Sequence, residues 1–155
     1  MSRAREEDLL RLDAALLALR RLTSTPSQPL EHDGVAIEMS TMLVVDAIAR
    51  RDRDCSVGDV AEVLTVTHST ASRLVDRAAL AGMVSRSRDP HEGRRTNLTL
   101  TTAGEGLHAA ATRFRTQRLA AVTEEWSAAD LASLAHLLDR FAQTALPHLV
   151  PSTQR

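Results

Sequence analysis

Residues 56–95 read SVGDVAEVLTVTHSTASRLVDRAALAGMVSRSRDPHEGRR, and the fold turns on how this stretch divides. Ser56 followed three residues later by Asp59 has the form of a capping box, with an acid in place of the usual Glu or Gln, so a helix begins there. Val57, Val60, Ala61 and Leu64 then fall at i, i+3, i+4 and i+7, one apolar helical face. Leu64, Thr65 and Val66 supply a turn, and Thr67 is a good cap for a second helix. In that helix Ala71, Leu74, Val75 and Ala78 repeat the spacing and face a core. At about 100° per residue, Ser69, Ser72, Arg73 and Asp76 point the other way, with Thr70 and Arg77 on the flanks. Gly82 can end the helix.

Beyond it, residues 83–88 and 96–100 read as two strands, with Leu98 and Leu100 alternating against Asn97 and Thr99. Pro90 and Gly93 lie in the tip between them, so the chain turns back, and Arg86, Arg88, Arg94 and Arg95 bracket that tip. Two short helices joined by a tight turn and followed by an arginine-rich hairpin are the parts of a winged helix-turn-helix, which presents its second helix to a DNA groove.

The outward face of the second helix suits that task. The hydroxyls of Thr67, Ser69, Thr70 and Ser72, together with the free N–H groups of the helix start, can bond phosphates or base edges. His68 is better read as a groove contact than as a catalytic base. Arg73 has the reach and planar fork to engage guanine, a contact worth about 1–3 kcal/mol of base discrimination. Arg77 flanks it. In the hairpin, Arg86, Arg88, His91, Arg94 and Arg95 are positioned for phosphates or a minor groove, where arginine is drawn by negative potential. Taken alone, the helix would read as amphipathic with a solvated polar face, and the hairpin arginines as partners of Asp89 and Glu92. The combination favours DNA.

The run STASRLVDRAALAGMVSRSRDPHEGRRTNLTLTTAG closely resembles the recognition helix, wing and following helix start of MarR-type transcription regulators. The resemblance extends over residues 37–145 and is most specific in SRLVDR, in the spacing from Asp89 to Arg94, and in LTLTTAG. It implies a homodimeric repressor or activator, released from DNA by a small ligand or by oxidation, with Arg94 as the family's wing arginine. Two departures stand out. Glu92-Gly93-Arg94 replaces the commoner Asp-x-Arg at the tip, and Thr65 occupies a turn position where glycine is common.

The chain of 155 residues suits one domain with a dimerisation appendage, and 43% hydrophobic with 25% charged residues makes a soluble globular chain. Aromatics are 2%, with no tyrosine, which disfavours RNA or single-strand binding by base stacking. A net charge of −1 counts mildly against DNA, but all 19 basic residues are arginines and many cluster between Arg73 and Arg95. A basic reading face on a near-neutral body is expected. Cys55 is the sole cysteine, so an intramolecular disulfide and a cysteine-based zinc site are ruled out. It reads first as a small buried hydrophobe, with a redox switch as the sharper alternative. No long apolar run or signal peptide is present, so a cytoplasmic protein without membrane association is expected.

Residues 6–22 carry Leu9, Leu12, Leu16 and Leu19 on one helical face, widened by Leu10 and Leu17. Residues 23–34, with two prolines, read as a loop; residues 39–51 as a helix with Met42, Val45, Ile48 and Ala49 inward; Cys55 as part of a short strand beside the hairpin. Thr101 or Thr102 caps a helix running to about residue 125. Ser127 with Asp130 opens the last helix, where Leu131, Leu134, Leu138 and Phe141 form a coiled-coil-like seam that Pro147 ends. Leu9, Leu12 and Leu16 with that C-terminal seam are the expected dimer contacts.

The expected architecture is mainly α with a small β-hairpin (α+β). A dimerisation helix and loop occupy 1–36, a winged helix-turn-helix 37–100, and C-terminal dimerisation helices 101–155. By the resemblance, an effector pocket lies between the first two helices and the long fifth one. Met39, Leu43 and Phe114 are candidates for its lining, although core packing is the plainer role for each. The six histidines are scattered and no metal-ligand or nucleophile spacing appears, so no catalytic residue, metal or cofactor is expected. The alternatives are a winged-helix protein-interaction module, or a regulator responding to redox state or metal.

Overall fold

A computed structural model describes residues 3–24, 30–32, 35–51, 54–88 and 96–149. The order is α1 (Arg3–Ser24), β1 (Leu30–His32), β2 (Val35–Ile37), α2 (Met39–Ala49), α3 (Val57–Leu64), α4 (His68–Leu80), β3 (Val84–Arg88), β4 (Thr96–Leu100), α5 (Thr102–Val122) and α6 (Ala128–Leu149). The chain divides into two compact units, Met1–Leu30 and Glu31–Arg155. The first holds α1, whose leucines from Leu9 to Leu19 are exposed.

In the second unit α2 is the hub, packing against α3, α4, α5 and β4. Its inward face is wider than periodicity indicates: Thr41, Val44, Val45, Ala47 and Ile48 are buried, while Met42 and Ala49 are only half-buried. A helix touched on several sides has no single apolar stripe. Val60 of α3, Ala71, Val75 and Ala78 of α4, Leu107 and Ala111 of α5, and Cys55, Met83, Val84 and Leu98 at the hairpin join it in the core, and Leu74 stays half-buried.

Local signals set the helix starts. Ser56 accepts the Asp59 N–H at 3.2 Å while its own N–H donates to the Asp59 carboxylate at 2.8 Å, a reciprocal capping box. Thr101, not Thr102, caps α5, accepting the Gly104 N–H at 3.1 Å. Ser127 accepts the Asp130 N–H at 3.1 Å at the start of α6. Both α3 and α4 end in crossed hydrogen bonds of the Schellman type. After α3, Val66 N–H reaches Ala61 O and Thr65 N–H reaches Glu62 O; after α4, Met83 N–H reaches Ala78 O and Gly82 N–H reaches Ala79 O. The left-handed position is filled by Thr65 (φ 54°) in one and Gly82 (φ 76°) in the other.

The winged hairpin pairs β3 with β4 antiparallel, in the register Val84 to Leu100 through Arg88 to Thr96. Its side-chain alternation differs from expectation, since Asn97 (8% exposed) is buried beside Leu98 and Leu100 is half-buried. β4 contacts α2, α3 and α5 and is bridged by Cys55, whose carbonyl accepts the Leu98 N–H at 2.7 Å, so it is covered from more than one side. Cys55 thus forms a single bridge rather than a strand.

Two boundaries are corrected. The stretch read as a loop at 23–34 contains the end of α1 and the strand β1, which pairs with β2. The Asp33-Gly34 pair between the strands is a strong hairpin signal that outweighs the prolines, though both residues lie outside the described set. Pro147 does not end α6, which continues to Leu149. Proline's fixed φ is helical, and this close to a helix end its missing N–H costs a single bond.

Candidate nucleic-acid interface

The outward face of α4 is built from its cap. Thr67 Oγ1 accepts the Thr70 N–H at 3.3 Å and lies 3.1 Å from Ser69 Oγ and 2.9 Å from Thr70 Oγ1. Three hydroxyls are thereby gathered over the start of the helix, where the first N–H groups point outward and the peptide dipoles favour an anion. Thr67, His68 and Ser69 are exposed there, and Thr70 and Ser72 are half-buried. One turn on, Arg73 is exposed and forms no ion pair with another described residue.

Among the described residues, Arg51, Arg77 and Arg86 around this face are paired with acids. Arg86 on β3 reaches Asp76 on α4, Nη2 to Oδ1, at 2.7 Å, tying the wing strand to α4. Arg77 lies 3.9 Å from Glu38, the residue before α2. Arg51 bridges to Asp59 at 3.3 Å and Glu62 at 3.4 Å, holding α3 beside the end of α2. The structure therefore brings Thr67, His68, Ser69, Thr70, Ser72, Arg73 and Arg77 onto one helix and sets Arg86 across from Asp76. Arg88 closes the β3 register, but its side chain lies outside the described residues, as do His91, Arg94 and Arg95 altogether.

The expected dimer contacts are uniformly solvent-facing in the single chain. Leu9, Leu12 and Leu16 on α1, and Leu131, Leu134, Leu138 and Phe141 on α6, are each 37–46% exposed. Leu119, Val122 and Trp126 near the end of α5 are exposed as well, a group that the sequence reading passed over.

Core packing, the plainer role for Met39, Leu43 and Phe114, is not where these side chains lie, since all three are exposed. Met39 and Leu43 are one helical turn apart on α2, and Asp46 continues their face. Asp46 is also a residue the sequence reading missed. It meets Arg50 at 2.7 Å, Arg115 at 3.1 Å and His108 at 3.8 Å, so α5 brings a cation and an imidazole to one carboxylate of α2. Arg118 lies over the Phe114 ring at 5.8 Å. Only the i, i+4 partner, Arg50, was visible in the chain.

Cys55 is buried and its thiol pKa is raised, first by burial and then by the Asp59 charge, with Arg51 opposing. Such a thiol carries little thiolate and reacts slowly with oxidants. Among the described residues no group of three or more His, Cys, Asp or Glu side chains could hold a metal ion. No helix among them is long and apolar enough to cross a membrane.

Compared with protein families, residues 37–95 match the MarR family. Compared with curated proteins by sequence, the chain has no match. Solved structures of similar fold include a MarR family protein from Bacillus stearothermophilus, with 28% identity, a TM-score of 0.64, and coverage of 92% of this chain and 94% of that one. FabT of Streptococcus pneumoniae, solved in complex with DNA, is similar with 20% identity, a TM-score of 0.62, and coverage of 92% and 95%. BpsR of Bordetella bronchiseptica, whose DNA binding is regulated by 6-hydroxynicotinic acid, is similar with 20% identity, a TM-score of 0.56, and coverage of 89% and 98%.

Proposed function

From a chain that carries MarR-family sequence at residues 37–95 on the winged-helix fold of MarR family transcriptional regulators, we propose a homodimeric regulator that binds pseudo-palindromic double-stranded DNA and is released by a small-molecule effector. The observation that carries the DNA reading is the reach of Arg73, exposed one turn beyond the hydroxyl cluster of Thr67, Ser69 and Thr70. The hydroxyls and helix start take phosphate, and Arg73 reads a base edge. Arg86, Arg88, His91, Arg94 and Arg95 extend the contact along the wing.

The dimer is supported by the apolar faces of α1 and α6, which a lone chain leaves in water. Two reading helices related by a two-fold require half-sites roughly one helical turn, about 34–36 Å, apart. For the effector, the α2–α5 face combines exposed Met39, Leu43 and Phe114 with Arg118 and with Arg50 and Arg115, and a small anionic aromatic molecule there would compete with Asp46 for the last two. Burial of Cys55 and its raised pKa weigh against a redox signal. A winged-helix interaction module would be free to replace Arg73 by an apolar or acidic residue, so an exposed arginine there favours the nucleic-acid reading.

Arg73→Ala tests the base-reading role. It is expected to weaken binding to a duplex selected by the wild-type protein by about 1–3 kcal/mol, and binding to random duplex far less. Equal losses on both duplexes would reduce Arg73 to a phosphate contact.

A further inference from the structure

The turn that follows α4 is fastened to the start of α5 by two hydrogen bonds and one close backbone approach. The Schellman turn after α4 delivers the carbonyls of Gly82 and Met83 to the start of α5. Thr101 holds both: its N–H donates to Met83 O at 3.1 Å and its hydroxyl donates to Gly82 O at 2.6 Å. The same hydroxyl oxygen accepts the Gly104 N–H, so one side chain caps α5 and grips the end of α4.

Gly104 closes the joint. A Cβ placed there would lie 2.1 Å from Met83 O and 3.1 Å from Met83 C, both backbone atoms that cannot rotate aside. Its φ is not in the left-handed region, so glycine is required here by close approach and not by backbone freedom. The neighbours leave little slack, since Met83 is buried and Leu107, one turn along α5 from Gly104, is fully buried.

We propose that Thr101 and Gly104 are positioning residues, which transmit the tilt of α5 to the reading helix and so set where Arg73 meets the duplex. The proposal rests on the DNA-binding reading above. α5 has 21 residues, about 30 Å of rigid rod, with its first turn pinned to the end of α4 and its later turns bearing Arg115 against Asp46 on α2. A change of tilt along the rod acts on the turn that follows α4 through these contacts. Conversely, widening the joint to ordinary contact distance moves the two helix ends apart by about 1 Å, enough to take a hydrogen bond of the reading face out of range.

The test separates capping from fastening. Thr101→Asp retains an acceptor for the Gly104 N–H but has no proton to give Gly82 O, whereas Thr101→Ser keeps both functions. The probes are a duplex selected by the wild-type protein from a random pool and an unselected duplex of equal length, with folding confirmed by circular dichroism. For Thr101→Asp the ratio of selected to unselected affinity is expected to fall about tenfold, with Thr101→Ser restoring it, and Gly104→Ala to fall at least as far if it folds. The preferred half-site spacing should shift with it. If Thr101→Asp keeps the wild-type ratio and spacing, Thr101 only caps a helix and the proposal is overturned. If wild-type protein binds no duplex, the DNA-binding reading itself fails.

Discussion

The pairing of Arg86 with Asp76 makes a specific demand on DNA affinity. An arginine expected at the phosphates is held by a carboxylate 2.7 Å away on α4. The two side chains are 36% and 53% exposed, so after solvent screening the pair is worth at most about 1 kcal/mol of stability. Asp76→Asn should therefore lower the melting temperature by no more than about 2–4 °C for a chain of this length. Its effect on binding should be larger. Freeing Arg86 adds one cation able to contact phosphate, and one added contact steepens the dependence of log K on log salt by about 0.9. Removing an anion from a face proposed to meet a polyanion should also strengthen binding, with or without Arg86. A cycle with Arg86→Ala separates the two effects. Asp76→Asn alone should gain about fivefold more affinity than Asp76→Asn in the Arg86→Ala background, a coupling near 1 kcal/mol. Fluorescence anisotropy with a labelled duplex at four or five salt concentrations measures both slope and affinity. Equal gains in the two backgrounds, with unchanged slopes, would show that Asp76 does not restrain Arg86.

Other perturbations follow from particular geometries. Thr65 holds a left-handed backbone at φ 54° with its side chain exposed. Relieving that strain, about 1–2 kcal/mol, outweighs the roughly 0.5–1 kcal/mol entropy penalty of glycine. Thr65→Gly should thus raise the melting temperature by about 2 °C, and a decrease by calorimetry would mean that Thr65 makes a compensating contact. Replacing both Leu134 and Leu138, exposed on α6, with glutamate should yield monomers in analytical ultracentrifugation with an unchanged helical spectrum; a persistent dimer would move the interface off this seam.

Much of the chain is legible because its signals are local. Ser56 with Asp59, Thr67 with Thr70 and Ser127 with Asp130 each complete a cap within three residues, so the sequence carries both partners side by side. The apolar spacing of Ala71, Val75 and Ala78 determines which face of α4 turns inward, and with it which face is left for Thr67, Ser69 and Arg73. A helix pair, a hairpin and a polar reading face are thus determined before any folding in space. Tertiary packing decides what depends on distance across the fold. Asn97 is buried because three helices and the Cys55 bridge converge on β4. Arg86 is claimed by Asp76 because β3 packs against α4. Asp46 draws Arg115 from 69 residues away, and Gly104 is held to glycine by a carbonyl oxygen 21 positions earlier. A residue type at a spacing predicts only what lies within a few turns of itself; the rest requires knowing which elements touch, and touch is a property of the packed chain.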